Sequence, residues 1–237
     1  MLRNSTRLVA AGLAAALLGA PSLGAAQAAE PDVAHGEKLF SLCLQCHGAA
    51  GEGNQVLGAP AIAGMPAWYV TEQLRKFSIG LRGKHFDDAE GMRMRPMSLW
   101  LIASQHAADH LSGATADPSK LGSNIVDVSA YVASLPHTNP APTVSGGDLA
   151  TGEASYALCG SCHGLKGEGS EPQSAPPLAG QSDWYVLRSL EKYKAMTRGY
   201  DGPNDPFGAT MAGMSNVLAD DQAMRDVVAY IATLKLE

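Results

Sequence analysis

Apolar residues recur at helical spacing in six stretches of the chain, and these stretches form two similar sets of three. The first set covers 34–45, 67–77 and 124–135, and the second covers 150–161, 183–193 and 220–234. In 67–77 and in 183–193, Trp, Val and Leu lie on one side and Lys, Arg and Glu on the other, as in helices packed on a core. Asp220 or Asp221 is placed to cap the last helix. We find no convincing alternation of apolar and polar residues typical of a strand, so the pattern predicts an all-α protein with Gly/Pro-rich loops.

The two sets belong to a duplicated unit of about 100 residues. Cys43, Cys46, His47, Pro60, Trp68 and Arg82 recur 116 positions later as Cys159, Cys162, His163, Pro176, Trp184 and Arg198. Later changes of shift align Met94 with Met211 and leave an 18-residue insertion in the first copy, between 101 and 127. We therefore predict an N-terminal domain over 29–137, a Pro/Gly/Ser/Thr linker over 138–147 and a C-terminal domain over 148–237.

Residues 1–28 belong to neither copy. Arg3 and Arg7 precede an apolar stretch from Leu8 to Ala20, and small residues follow up to Ala28. This order is typical of a secretory signal peptide cleaved near Ala28. A membrane anchor is the alternative, but the apolar stretch is shorter than the roughly 20 residues that span a bilayer. We expect export to an oxidising compartment.

Composition narrows the possible functions. A formal charge of −6 argues against nucleic-acid binding, which needs a basic face. Four cysteines are too few for a disulfide framework of this length. Aromatic residues make up only 6% of the chain, so something other than aromatic side chains must fill the core.

The motif C-x-x-C-H, present once in each copy, is typical of covalent haem attachment. Two thiols three residues apart share one face of a helical turn and reach the two vinyl groups at one haem edge. The following His then meets the iron from below. Cys43, Cys46 and His47 therefore predict one haem c, and Cys159, Cys162 and His163 a second. Two haem groups would also fill the cores that lack aromatic residues.

Other readings of the cysteines fit less well. A thioredoxin-like redox pair belongs near a strand–helix unit, which the sequence does not show. A zinc site would need the two pairs to come together from separate domains, and two simple disulfides would not call for the His.

A methionine is the expected sixth iron ligand in small electron-transfer cytochromes. Each copy has M-x-x-M, with Met94 and Met97 in the first and Met211 and Met214 in the second. We predict that Met94 and Met211 bind iron and that the second methionine of each pair packs against the ring.

Further contacts to the haem groups are expected from the aligned residues. The backbone oxygens of Pro60 and Pro176 are placed to accept a hydrogen bond from the axial histidines, or these prolines only stiffen a turn. Arg82 and Arg198 either pair with haem propionates or are solvated surface residues.

The sequence also suggests structural roles for residues that have no predicted chemistry. Trp68 and Trp184 are expected to pack the pocket wall. His106 and His110 have i, i+4 spacing in the insertion, which suits a metal on a helix, but no carboxylate or Cys supports this, and a solvated face is favoured.

These motifs, with P-x-[IL]-A-G and the final helix, resemble class I cytochromes c, and the tandem arrangement resembles the dihaem cytochrome c4 family. The resemblance covers nearly all of the chain after residue 28. It implies two small all-α domains, each around one His/Met-ligated haem, with His47 and Met94, then His163 and Met211, as ligands. It also implies a periplasmic carrier that passes electrons toward a terminal oxidase of the respiratory chain. The insertion is a departure, and it leaves the docking partner open.

We therefore expect an electron carrier, not an enzyme, with a quinol-oxidising complex or a dehydrogenase as donor, a terminal oxidase as acceptor and possible peripheral membrane association. One alternative is a cytochrome subunit of a larger dehydrogenase or oxidase complex. A dihaem peroxidase is disfavoured because each copy supplies a methionine for the sixth site and no acid–base pair is visible.

Overall fold

A computed structural model of the protein describes residues 1, 30–112 and 122–236. The predicted signal peptide and residues 113–121 of the insertion lie outside the described residues. Within them the chain forms eight α-helices: α1 Val33–His47, α2 Ala67–Ile79, α3 Ala89–Ser112, α4 Ser123–Ser134, α5 Leu149–His163, α6 Asp183–Lys194, α7 Pro206–Ser215 and α8 Asp221–Ile231. No strand occurs in this part of the chain, whose only β pairing is two isolated bridges, 54 with 59 and 170 with 175. The all-α prediction is therefore confirmed.

Side-chain caps explain where several helices begin. Asp32, Asp148 and Asp220 precede α1, α5 and α8, and each accepts a hydrogen bond from a backbone N–H three residues further on. Such bonds satisfy donors that the first helical turn leaves unpaired. Of the two caps considered for the last helix, Asp220 is the one used.

In each half, the first and last helices cross at a glycine. A Cβ atom on Gly36 of α1 would lie 2.1 Å from the carbonyl oxygen of Asp127 on α4, and one on Gly152 of α5 would lie 2.0 Å from that of Asp226 on α8. The backbones therefore approach too closely for any side chain. Phe40 and Tyr156 lie one turn further on and join the buried clusters that fill the two crossings.

The methionine motifs lie in two helices that the apolar pattern of the sequence did not predict. Met94 and Met97 belong to α3, and Met211 and Met214 belong to α7. The sequence did not predict α3 because Pro96 lies inside it, and a proline normally ends a helix. It did not predict α7 because that helix is only 10 residues long and contains two glycines. Part of the predicted insertion is an extension of α3 to Ser112.

The two halves of the repeat, residues 31–137 and 138–236, pack against each other as the N-terminal half and the C-terminal half of one unit. Residues 136–148 between them form no helix, are mostly exposed and are anchored to the C-terminal half near their end. The backbone N–H groups of Thr143 and Val144 both donate to Asp183 at 2.6 Å. Direct contacts also cross between the halves, such as Gln181 Nε2 to the Ala61 carbonyl oxygen at 2.9 Å. No helix among the described residues has the length and apolar character needed to cross a membrane.

Candidate functional site

Each C-x-x-C-H motif forms the last turn of the first helix of its half. Cys43 and Cys46 are three residues apart on α1, and His47 ends that helix. In the C-terminal half α5 holds Cys159, Cys162 and His163 in the same way. The first cysteine of each pair is half-buried and the second is exposed. The two thiols therefore lie at the boundary between a cavity and the surface.

Both histidines are held by a proline carbonyl. Nδ1 of His47 donates to the oxygen of Pro60 at 2.9 Å, and Nδ1 of His163 donates to that of Pro176 at 2.8 Å. This is the contact that the sequence suggested for the two prolines. Burial lowers the pKa of both histidines, only partly offset by these hydrogen bonds, so the neutral ring prevails at neutral pH. With its proton on Nδ1, each ring has an unprotonated Nε2, the form that binds a metal.

Glycines make the return of the chain toward each histidine possible. After α1, the N–H of Gly53 donates to the carbonyl of His47 at 2.7 Å. Gly53 has φ +87°, and a Cβ atom there would lie 2.5 Å from the nitrogen of Ala61. The same contacts occur around Gly169 in the C-terminal half. Only glycine fits this tight approach, which places Pro60 or Pro176 against the imidazole.

An apolar cavity lies beside each histidine and is closed on one side by the methionine-bearing helix. The N-terminal cavity is lined by both cysteines, His47, Met94 and Met97, and the C-terminal cavity by their counterparts. Met94 packs against the buried cluster around Phe40, whereas the side chain of Met97 is 43% exposed. Met211 packs against the corresponding C-terminal cluster. In the N-terminal pair the first methionine is thus the one held inside, whereas Met211 and Met214 are both half-buried and differ in that Met211 packs on the buried cluster. These contacts favour Met94 and Met211 as the ligands.

The two arginines line the cavities and are not solvated surface residues. Arg198 is only 5% exposed, and Arg82 is half-buried. Arg82 donates to Gln73 at 2.6 Å and Arg198 to Ser189 at 3.1 Å. In the described part of the chain, the Nε atom of each is buried without a hydrogen-bond partner. A buried, incompletely bonded guanidinium is suited to a carboxylate.

The tryptophans do not have the role that the sequence suggested. Neither Trp68 nor Trp184 lines a cavity; each packs edge-to-face on the following tyrosine, with ring centroids 5.7 and 5.8 Å apart. Those tyrosines, Tyr69 and Tyr185, line both cavities. Burial raises the pKa of Tyr69 to about 12, so its hydroxyl keeps its proton at neutral pH. The W-Y match between the repeats was the available signal for this shared wall.

The histidines outside the two motifs differ among themselves. His106 is exposed on α3, and the side chain of His110 lies outside the described residues. No group of three or more metal-ligating side chains occurs within the described ranges. His35, which reads from the sequence as a surface residue, is bound to the buried carboxylate of Asp127 at 2.9 Å. It therefore helps to fix the crossing of α1 and α4.

The residues present fit a haem in each cavity. Two thiols at helical spacing lie at the outer edge, and a neutral imidazole is fixed by a proline carbonyl. A methionine is held across the apolar space, and a buried guanidinium has a spare donor for a propionate. These features, present twice, define a c-type cytochrome with two haem sites.

Comparison with known proteins identifies the family. The cytochrome c family model matches residues 33–136 and 149–235, so the chain belongs to the cytochrome c family. It is similar to the thiosulfate dehydrogenase electron acceptor of Thiomonas intermedia (strain K12), with 30% identity over 85% of this chain and 79% of that protein. It is also similar to cytochrome c4 of Azotobacter vinelandii, with 35% identity over 38% of this chain and 42% of the relative.

Solved structures agree on the fold. The thiosulfate dehydrogenase TsdBA from Marichromatium purpuratum superposes with a TM-score of 0.62 and 26% identity over 85% of this chain. The present chain spans only 40% of that longer chain. Reduced cytochrome c4 from Pseudomonas stutzeri matches with a TM-score of 0.59 and 22% identity over 86% of this chain. The protein is thus a dihaem class I cytochrome c with two covalently bound haem c groups, an electron carrier rather than an enzyme.

Proposed function

We propose that this cytochrome is a periplasmic electron acceptor for a thiosulfate dehydrogenase and passes the electrons on toward a terminal oxidase of the respiratory chain. One observation carries the choice of donor. The relatives that match across both halves are named thiosulfate dehydrogenase electron acceptors, in Thiomonas intermedia and, with 29% identity over 94% of this chain, in Stutzerimonas stutzeri (strain A1501). The cytochrome c4 relatives match in sequence over only 38% of the chain, although a cytochrome c4 structure shares the fold across both halves. This favours the partner-subunit alternative over a general carrier.

The surface around each cavity suits brief contact with another redox protein. The bound haem supplies one-electron Fe(III)/Fe(II) chemistry. Cys46 and Cys162 are exposed, so this edge of each site is open to a partner. Apolar side chains such as Trp100 and Leu57 are also exposed at the N-terminal cavity, as are Leu158 and Val217 at the C-terminal one. Such patches favour docking by apolar contact over docking steered by charge.

Stopped-flow absorbance tests the proposed donor. The oxidised holoprotein is mixed with a purified thiosulfate dehydrogenase and thiosulfate, and reduction is followed at the haem bands. We expect reduction only when both enzyme and thiosulfate are present. Mixtures lacking either one are the controls. If a quinol-oxidising complex reduces the protein and thiosulfate dehydrogenase does not, the donor assignment is wrong and the general respiratory carrier is favoured.

Export is tested separately. The full chain is expressed in a host that matures c-type cytochromes, and the haem-containing protein is located by fractionation. We expect it in the periplasmic fraction with an N-terminus near Ala29. Recovery in the membrane with Met1 retained would instead support the anchor reading of residues 1–28.

A further inference from the structure

Two lysines form ion pairs with buried aspartates of the opposite half, and the internal repeat relates one pair to the other. Nζ of Lys76 on α2 donates to Oδ1 of Asp205 at 2.8 Å. Nζ of Lys192 on α6, a half-buried side chain, donates to Oδ1 of Asp88 at 2.5 Å and to Oε2 of Glu90 on α3 at 2.8 Å. The repeat aligns Lys76 with Lys192 and Asp88 with Asp205. Each half therefore gives a lysine to the other half and receives one in return.

The two aspartates also begin the methionine-bearing helices. Asp205 is the N-cap of α7, and its Oδ1 accepts a hydrogen bond from the N–H of Gly208 at 2.9 Å. Asp88 directly precedes α3, and its Oδ1 accepts one from the N–H of Gly91 at 3.1 Å. Met94 and Met211 each follow their aspartate by six residues. In each aspartate, the same oxygen therefore accepts a hydrogen bond from the first turn of the helix in its own half and another from the lysine of the other half.

Because the aspartates are buried, the loss of either partner in these ion pairs is costly. Asp88 is 1% exposed, and its second oxygen, Oδ2, is buried with no hydrogen-bond partner in the described part of the chain. Lys76 and Asp205 are buried as well. Removal of one partner from a buried pair leaves an uncompensated charge, so the remaining group moves or draws in water. In Asp88, any such movement passes directly to the first turn of α3.

A glycine keeps each helix start against its aspartate. A Cβ atom on Gly91 would lie 2.0 Å from Oδ2 of Asp88, and one on Gly208 would lie 2.2 Å from Oδ2 of Asp205. The capping carboxylate and the first helical turn are therefore in close contact in both halves. This tight fit leaves little room for the carboxylate to shift alone, without the helix.

We propose that Lys76 and Lys192 are positioning residues, each of which holds the methionine-bearing helix of the opposite half. Lys192 of the C-terminal half fixes the position of α3 and therefore of Met94. Lys76 of the N-terminal half fixes the position of α7 and therefore of Met211. The Met–iron bond of each half then depends on a side chain of the other. The inference rests on the assignment of Met94 and Met211 as ligands and is independent of the electron donor.

The experiment uses Lys192→Met and Lys76→Met in the holoprotein. The readouts are the weak charge-transfer band of the Met–Fe(III) bond, the NMR signals of the ligand methyl groups, and the reduction potential of each haem. Signals are assigned to a haem with Met94→Ala and Met211→Ala. We expect Lys192→Met to weaken the band and lower the potential of the N-terminal haem, because methionine ligation raises the potential. Lys76→Met should do the same to the C-terminal haem. The exposed Lys38 provides the control, Lys38→Met, with no change at either haem.

A double variant separates positioning from folding. Lys192→Met with Asp88→Asn removes both charges of the Lys192–Asp88 pair, leaves Glu90 its contact with Arg188 and keeps an oxygen that can cap α3. If Lys192→Met alone fails to fold, the double variant should fold and still show the altered N-terminal signals. A normal band and potential in a folded Lys192→Met or double variant would overturn the proposal, as would equal changes at both haems. Retention of both ligand signals in Met94→Ala and Met211→Ala would overturn its premise.

Discussion

The crossing of α5 and α8 makes Gly152→Ala a sharp test of the packing in the C-terminal half. The new Cβ atom would lie 2.0 Å from the Asp226 carbonyl oxygen and 2.6 Å from its carbon, whereas ordinary contact begins near 3.4 Å. Both obstructing atoms are backbone, so α5 must retreat from α8 by about 1.4 Å. That movement separates Tyr156 from Val227 and Ile231, which pack together in the buried cluster.

The magnitude follows from two opposing effects. Overpacking of a filled core costs about 1–3 kcal/mol, and a clash with backbone belongs near the upper end. Alanine is favoured over glycine inside a helix by about 1 kcal/mol. We therefore expect Gly152→Ala to lower the free energy of unfolding by about 2 kcal/mol. With a urea dependence of roughly 1–3 kcal/mol per molar, the midpoint should fall by about 1 M.

The assay is urea unfolding of the holoprotein, followed by circular dichroism and by the haem absorbance. Gly213→Ala on α7 is the matched control, because nothing lies within 4 Å of its added Cβ atom. That variant should be more stable by about 0.5–1 kcal/mol, from the gain in helix preference alone. If Gly152→Ala unfolds at the same urea concentration as Gly213→Ala or at a higher one, the close approach of the helices is wrong.

Three further predictions concern the sites. Met94→Ala should abolish the Met–Fe(III) band of one haem and lower its potential, while Met97→Ala keeps both; loss of the band in Met97→Ala alone would reverse the assignment. The double variant Cys43→Ser with Cys46→Ser should halve the haem that stays bound to the denatured chain, measured by haem staining against the wild type; unchanged staining would contradict covalent attachment there. The third concerns pH: burial raises the pKa of Asp88, but Lys192, the charge of Arg82 and the Gly91 N–H together lower it by more, so the net shift is downward. The stability from this pair is therefore present above the ordinary aspartate pKa of about 4 and is lost as pH falls through the lower pKa of the folded state. The difference in unfolding free energy between the wild type and Lys192→Met should accordingly shrink on acidification. A difference that does not change with pH would contradict this.

The sequence was sufficient for the six helices that bury an apolar stripe, because their periodicity comes from packing against one core. It also predicted the histidine–proline contacts, since both repeats keep the same spacing between those residues. It did not predict α3 and α7. Pro96 and the glycines of α7 argue locally against helix, and only the capping aspartates and the packing of each half overcome that preference.

Contacts between the halves were beyond the sequence for a different reason. Lys76 and Asp205 are residue types usually found at a surface, yet both are buried where they pair across the halves. Tyr69 likewise reads as a neighbour of Trp68, although it lines both cavities. Periodicity reports which face of a helix is covered by its own domain. It does not report which polar groups a second domain will cover.

The wall shared by the two cavities constrains the order of biogenesis. Tyr69 and Gln73 from the N-terminal half line the C-terminal cavity, and Tyr185 and Gln181 from the C-terminal half line the N-terminal one. Each half thus closes part of the other's cavity. A planar group as large as haem is inserted most easily while the halves are apart. We therefore expect both haem groups to be attached before the halves dock completely, because each half closes part of the other's cavity.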